Sequence, residues 1–170
     1  MPYSQKWVLN QNIVIQIIDA VFRGVAQVVF MNNTISGIII TIGMFVSSRY
    51  YALCMLLGTS VSTIAALIFQ LNKGALANGI YGYNGTLVGI GIAVFHFGDD
   101  TNFVKMPQVI GPIVLMSILS TIFVSGIGSL FVGKFGISPF TIPFILCVWI
   151  WILGASGSYS YFPINGQILH

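Results

Sequence analysis

Read for its hydrophobic and polar positions, the chain falls into apolar runs at 35–48, 50–71, 75–97, 107–133 and 136–153. Short polar stretches separate them: Ser47-Ser48-Arg49, Asn72-Lys73-Gly74, Gly98-Asp99-Asp100 through Lys105, and Gly133-Lys134. Each break carries a basic residue. A membrane-crossing helix needs about 20 apolar residues, so the second and fourth runs read as plain spans. The first is shorter than that, and must borrow residues from a flank or end below the membrane surface.

The third run is unusual. Its segment ALANGIYGYNGTLVGIGIAVF carries Gly79, Gly82, Gly85, Gly89 and Gly91, with Gly74 just ahead. Glycine lets membrane helices approach closely, but Gly82-Tyr83-Asn84-Gly85 in mid-membrane also suggests a break. Irregular backbone at that depth survives only buried in protein or lining a wet cavity. Pro139 and Pro143 predict that the fifth run is kinked or begins part-way into the bilayer. Upstream, 12–31 is apolar but holds Asp19, Arg23 and Gln27 at i, i+4 and i+8, one polar stripe on a helix. Asp19 and Arg23 can neutralise each other, as ionisable groups inside a membrane must. Periodicity leaves two readings open: a helix dipping into the bilayer beside an aqueous path, or an amphipathic helix lying flat at the interface.

Composition sharpens this picture. Of 170 residues, 56% are hydrophobic and only 5% are charged, and the mean hydropathy is +0.96. Soluble domains carry roughly 25% charged residues, so a soluble globule is excluded. So is a disordered chain, which would be poor in apolar residues. A net charge of +3 is no basic footprint for nucleic acid. Cys54 and Cys147 lie inside apolar runs and read as small buried hydrophobes, without a disulfide or metal framework. The start, MPYSQKWVLN, has no basic segment leading into an apolar one, so no cleaved signal peptide is expected.

Catalytic constellations are hard to find. His96 with Asp99 and Asp100 is a conceivable metal cluster, but a solvated loop explains them better; the other histidine, His170, is C-terminal. Motifs of zinc proteases, phosphate-binding loops and serine hydrolases are missing from the sequence. The expectation is no enzyme, no metal and no cofactor. Asn32-Asn33-Thr34 and Asn84-Gly85-Thr86 match the glycosylation pattern but sit against or inside apolar runs, and read as chance matches. What remains are neutral polar groups in broken helices: Gln27, Asn32, Asn33, Asn84, Thr86 and Thr141. An ion-coupled transporter would place acidic or histidine groups on its path. A passive route for a small neutral solute needs none.

At this point the sequence resembles a known family. Phe22-Arg23-Gly24-Val25-Ala26-Gln27-Val28-Val29-Phe30-Met31-Asn32-Asn33 resembles the opening of the first repeat of urea transporters. Asn78-Gly79-Ile80-Tyr81-Gly82-Tyr83-Asn84-Gly85-Thr86-Leu87-Val88-Gly89 resembles their central glycine-rich motif, and Phe140-Thr141-Ile142-Pro143-Phe144 their Thr-x-Pro-Phe box. Order and spacing match over 22–144. Two departures stand out. The family box usually opens Leu-Pro-x-x-Thr, whereas here Ile137-Ser138-Pro139-Phe140-Thr141 moves the proline by one. Family members also usually carry two inverted repeats around one pore; this chain carries one, which resembles the first.

The resemblance implies a fold and a site. It implies an all-α polytopic membrane protein, 1–170 forming one membrane domain equivalent to one inverted-repeat unit. In it, 12–31 would be a re-entrant pore half-helix and 34–153 about five transmembrane helices. Backbone carbonyls near Gln27, Val28, Val29 and Phe30 would form an acceptor ladder at the negative end of the helix dipole, suited to the NH2 donors of urea. Gln27 would add its amide oxygen. Phe30 and Tyr83 would form a flat slot, Leu87 would narrow it, and Thr141 would sit at its middle. Asp19, Arg23 and Asn84 would be structural groups near the pore. For Phe30, Tyr83 and Leu87 the alternative is ordinary helix packing. Such a slot disfavours ions, whose hydration shells it cannot replace, and a ladder of weak sites favours conduction.

The functional expectation is passive, channel-like urea transport in the cell's inner membrane. The alternatives are a channel for another small neutral amide or ammonia, or a non-conducting orphan half-repeat. With five spans and a re-entrant helix, Lys6, Lys73 and Lys134 collect on one side and Arg49 and Lys105 on the other. Three against two is a weak orientation signal. The chain is therefore expected to form a homo-oligomer in the bilayer, with an antiparallel dimer rebuilding the two-fold pore and higher assembly of pores beyond it.

Overall fold

A computed structural model of the chain describes residues 12–97 and 106–156. Lys6, Asp99, Asp100, Lys105 and His170 lie outside the described residues. These form seven helices and no strand: α1 (Ile13–Gln27), α2 (Thr34–Ser47), α3 (Arg49–Ile68), α4 (Lys73–Ala77), α5 (Ile80–Phe97), α6 (Met106–Phe135) and α7 (Ile142–Ser156). Two of the polar stops, at Ser48 and Asn72, turn out to be helix caps, whereas Gly133-Lys134 lies inside the last turn of α6 and makes no break there. The side chain of Asn33 accepts from Ile35 N at 2.9 Å to start α2, Ser48 from Tyr51 N at 3.4 Å to start α3, and Asn72 from Ala75 N at 3.0 Å to start α4. Each satisfies one of the amides that a helix N-terminus leaves unpaired.

Two helices, Arg49–Ile68 and Met106–Phe135, are long and apolar enough to cross a membrane. Thr34–Ser47 and Ile142–Ala155 are apolar but shorter. α2 borrows no residues from its flanks: it ends at Ser47, and α3 begins two residues later. At 1.5 Å per residue α6 is about 45 Å long, more than a ~30 Å hydrocarbon layer. Pro112 lies inside it, leaving the Gln108 carbonyl without its helical donor.

α5 is the central helix, packed against α1, α3, α4, α6 and α7. It runs unbroken from Ile80 through Phe97, so the break expected at Gly82-Tyr83-Asn84-Gly85 lies earlier, at Asn78-Gly79, where Gly79 has φ +71°. The glycines within α5 serve packing instead. A Cβ on Gly85 would fall on the Gly58 carbonyl and the Ser62 hydroxyl of α3, and one on Gly89 on the Cys54 carbonyl. Gly58 faces Gly85 in turn. Each interior glycine costs roughly 1 kcal/mol of helix propensity, which direct backbone contact offsets. Small hydroxyls complete this seam: the Thr59 and Thr86 oxygens are 2.7 Å apart, and Ser62 donates to the Ser117 carbonyl at 3.0 Å.

Beside the seam lies an apolar core of Tyr50, Cys54, Val88, Ile92, Val109, Ile113, Cys147 and Trp151, joining α3, α5, α6 and α7. Both cysteines are free and buried within it. His96 sits at its edge, 3.2 Å from Gln108 Oε1 and beside the Trp151 ring. Outward, the helices expose large apolar side chains such as Val46, Ile68, Leu115, Trp149 and Leu153, as a lipid-facing surface requires. α1 does the opposite with its polar stripe. Asp19 and Arg23 are buried against the protein while Ile13, Val14 and Ile18 are exposed. The stripe thus packs against the protein.

Candidate functional site

The site is built at two turns. α1 ends in a Schellman motif: Met31 N donates to Ala26 O at 3.1 Å and Phe30 N to Gln27 O at 2.9 Å. The position that this motif normally gives to glycine is occupied by Phe30, at φ 59°. A left-handed conformation costs a non-glycine residue roughly 1–2 kcal/mol. Surrounding bonds must hold it, and its effect is to put an aromatic ring at the turn's tip. The motif satisfies the Ala26 and Gln27 carbonyls. Among the described residues no hydrogen bond reaches the carbonyls of Val28, Val29 or Phe30. Of the main-chain carbonyls expected in the ladder, these three accept no bond among the described residues, whereas that of Gln27 is taken by Phe30 N.

The second turn precedes α7. Phe140 also has a positive φ, 46°, and its ring meets Phe30 edge-on, with centroids 6.4 Å apart and planes at 74°. Asn84 of α5 fixes this turn. It is buried, its Nδ2 donates to the Phe140 carbonyl at 3.3 Å, and its Oδ1 accepts from Phe144 N at 3.1 Å. Asn84 therefore caps α7 from another helix. Thr141 stands at the N-cap position itself, where its carbonyl accepts from Ile145 N at 3.0 Å.

Between the turns is a cavity of about 170 Å³ lined by Gln27, Phe30, Tyr83, Asn84 and Phe140, with Ile80, Val124, Ser138 and Pro139 completing it. A larger recess of about 440 Å³ shares Ile80, Val124, Ser138 and Pro139 with it, and adds the polar groups of Asn72, Asn78, Ser125 and Ser129. Uncharged donors and acceptors on apolar walls suit a small neutral polar solute.

Under the first turn lies a polar network. Arg23 Nε pairs with Asp19 Oδ2 at 2.6 Å, and Asp19 Oδ1 accepts from the Thr34 hydroxyl. Arg23 Nη1 donates to the Asn32 carbonyl at 3.0 Å and to Asn32 Oδ1 at 2.9 Å. Asn32 Nδ2 donates to Asn78 Oδ1 at 2.7 Å, and Gln27 Nε2 to the Asn78 carbonyl at 3.0 Å.

Of the residues singled out in the sequence, Gln27, Phe30, Tyr83 and Asn84 thus meet around one cavity, with Asp19 and Arg23 beneath it. Val28 and Val29 lie on the turn, Val29 exposed. Leu87, one turn past Tyr83, and Thr141, next to Phe140, are not among the cavity's lining residues. Sequence reasoning missed Phe140 and Asn78. Phe140 was visible only as the residue before the Thr-x-Pro-Phe core, and Asn78 as the residue before Gly79.

The described residues are all-helical, and two of the helices are long and apolar enough to cross a membrane. The chain belongs to the urea transporter family, whose sequence profile matches residues 18–169. It is 40% identical over 164 residues to urea transporter 1 of Rattus norvegicus, 38% to that of Mus musculus and 37% to that of Capra hircus. These alignments cover 96% of this chain but 41% of each relative. The chain therefore spans about two fifths of the length of the curated relatives it matches.

Proposed function

We propose that this chain is the pore-forming unit of a passive urea channel. The observation that carries the reading is the cavity between the Phe30 and Phe140 turns, lined by these two aromatic residues with Gln27, Tyr83 and Asn84, at the C-terminus of a helix whose Val28, Val29 and Phe30 carbonyls accept no hydrogen bond among the described residues. Urea is planar and neutral, with two NH2 donors and one carbonyl. It exchanges water contacts for these acceptors at little net change in free energy. An ion cannot make that exchange, because uncharged groups on apolar walls do not replace its hydration shell.

In this reading α2, α3, α5, α6 and α7 cross the membrane and α1 is the re-entrant half-helix. Gln27 and the carbonyls of Val28, Val29 and Phe30 form the ladder, Phe30 and Tyr83 the slot, and Leu87 and Thr141 contribute beyond the cavity. Phe140 joins the slot. A second copy in the opposite orientation would complete a two-fold pore of the kind that inverted repeats build. The test combines flux and topology. Gln27→Ala and Thr141→Val should each lower urea flux into vesicles at equal protein content, and wild-type flux in both removes them from the path. Tags placed beside Lys73, at the start of α4, and just after Lys134, at the end of α6, should each be reached from both faces of intact cells. Labelling from one face only refutes the antiparallel pair.

A further inference from the structure

We propose that Arg23 is a positioning residue for the filter, acting through one continuous clamp that sets both the Phe30 turn and the orientation of the Gln27 amide. The proposal rests on the reading of the adjoining cavity as the solute path.

Arg23 is 1% exposed, and Asp19 neutralises it at 2.6 Å. What it then supplies is less charge than geometry: a planar guanidinium that holds several acceptors in fixed directions. Its Nη1 takes both the carbonyl and the Oδ1 of Asn32. Arg23 precedes Phe30 in the chain and Asn32 follows it, so this grip closes the Schellman turn across its base. That is where a left-handed phenylalanine needs support.

The orientation then passes along a chain of amides. With Asn32 Oδ1 facing Arg23, its Nδ2 must point elsewhere, and it donates to Asn78 Oδ1 at 2.7 Å. Asn78 Nδ2 is thereby turned to the Gly74 carbonyl, at 2.8 Å. Asn78 held in this way presents its own main-chain carbonyl to Gln27. A carbonyl can only accept. Gln27 must therefore offer it the nitrogen and turn its oxygen away, leaving an acceptor for the cavity that Gln27 lines. The reversed amide would set two oxygens against each other and present a donor to a solute rich in donors. The side-chain links orient the Asn32 and Asn78 amides, and by holding Asn78 they place the main-chain carbonyl that orients Gln27, so Arg23, outside the cavity lining, acts on the Gln27 acceptor through the position of that carbonyl.

The experiment uses the full chain in lipid vesicles, with amide hydrogen exchange and the ratio of urea to methylurea flux as readouts. Arg23→Lys keeps the charge but loses the fork. The double variant Asp19→Asn with Arg23→Gln removes the clamp without stranding a buried charge, in case the single variant does not fold. Asn32→Asp separates the two halves of the device, keeping the acceptor for Arg23 and losing the donor to Asn78. With the first two variants, exchange at residues 28–31 should rise about tenfold, the effect of losing one charge-assisted bond, while α3, α5 and α6 stay as protected as in wild type. The flux ratio should fall. With Asn32→Asp, exchange at 28–31 should stay near wild type while urea flux falls. A uniform rise in exchange across the bundle, unchanged exchange at 28–31, or a flux ratio that stays constant in all variants would overturn the proposal. A wild-type chain without urea flux would overturn the channel reading and with it the filter role, while the exchange pattern would still decide whether the clamp exists.

Discussion

Replacing Asn84 by alanine should loosen the α5–α7 junction by about 2 kcal/mol. The side chain is 2% exposed and makes two hydrogen bonds, accepting from Phe144 N at 3.1 Å and donating to Phe140 O at 3.3 Å. The first is a helix N-cap, and losing such a cap to alanine costs typically ~1 kcal/mol. The second is a neutral bond worth roughly 1 kcal/mol net, toward the low end because Phe140 is exposed and water can replace it. A combined loss near 2 kcal/mol lowers the folded-to-unfolded ratio roughly 30-fold. Asn84→Asp should not rescue it: the carboxylate keeps an acceptor for Phe144 N but loses the donor to the Phe140 carbonyl, and a buried charge without a cation partner adds a desolvation cost. The assay is denaturant unfolding in mixed micelles, followed by Trp149 and Trp151 fluorescence. An Asn84→Ala variant within about 0.5 kcal/mol of wild type, the range of an inert substitution, would refute the cap. So would an aspartate variant as stable as wild type.

Other substitutions test the remaining parts. Gly85→Ala should cost about 2–3 kcal/mol, because the new Cβ falls on the Gly58 carbonyl and Ser62. Gly126→Ala, with nothing within 4 Å of the added atom, should be neutral or stabilising by up to about 1 kcal/mol; the same unfolding curves check both. Tyr83→Ala and Phe140→Ala should each raise the flux of methylurea relative to urea, as a widened slot admits bulkier amides. Equal ratios in wild type and both variants, measured in vesicles, would count against a steric slot.

Much of the architecture was legible because apolar runs and polar stops are dictated by burial. The stops at Ser48 and Asn72 became the caps of α3 and α4. The glycine-rich stretch was harder. Glycine's helix cost argues for a break at 82–85, and only tertiary contact with Gly58 and Ser62 explains why α5 continues through it. The polar stripe of α1 was visible from spacing, whereas its inward orientation depends on partners as distant in sequence as Asn78. Of the site, Gln27, Phe30, Tyr83 and Asn84 came from the family motifs. Phe140 did not, since a phenylalanine held at positive φ leaves no mark in local sequence. Its position depends on Asn84, 56 residues away.

The most direct test of the account is urea entry into proteoliposomes containing only this chain, followed by stopped-flow light scattering across an inward urea gradient. The account predicts a rate well above that of protein-free vesicles, lowered by Gln27→Ala, with no accompanying sodium, potassium or chloride conductance. A urea rate equal to that of protein-free vesicles, from chains shown to be folded by their amide exchange, would contradict it.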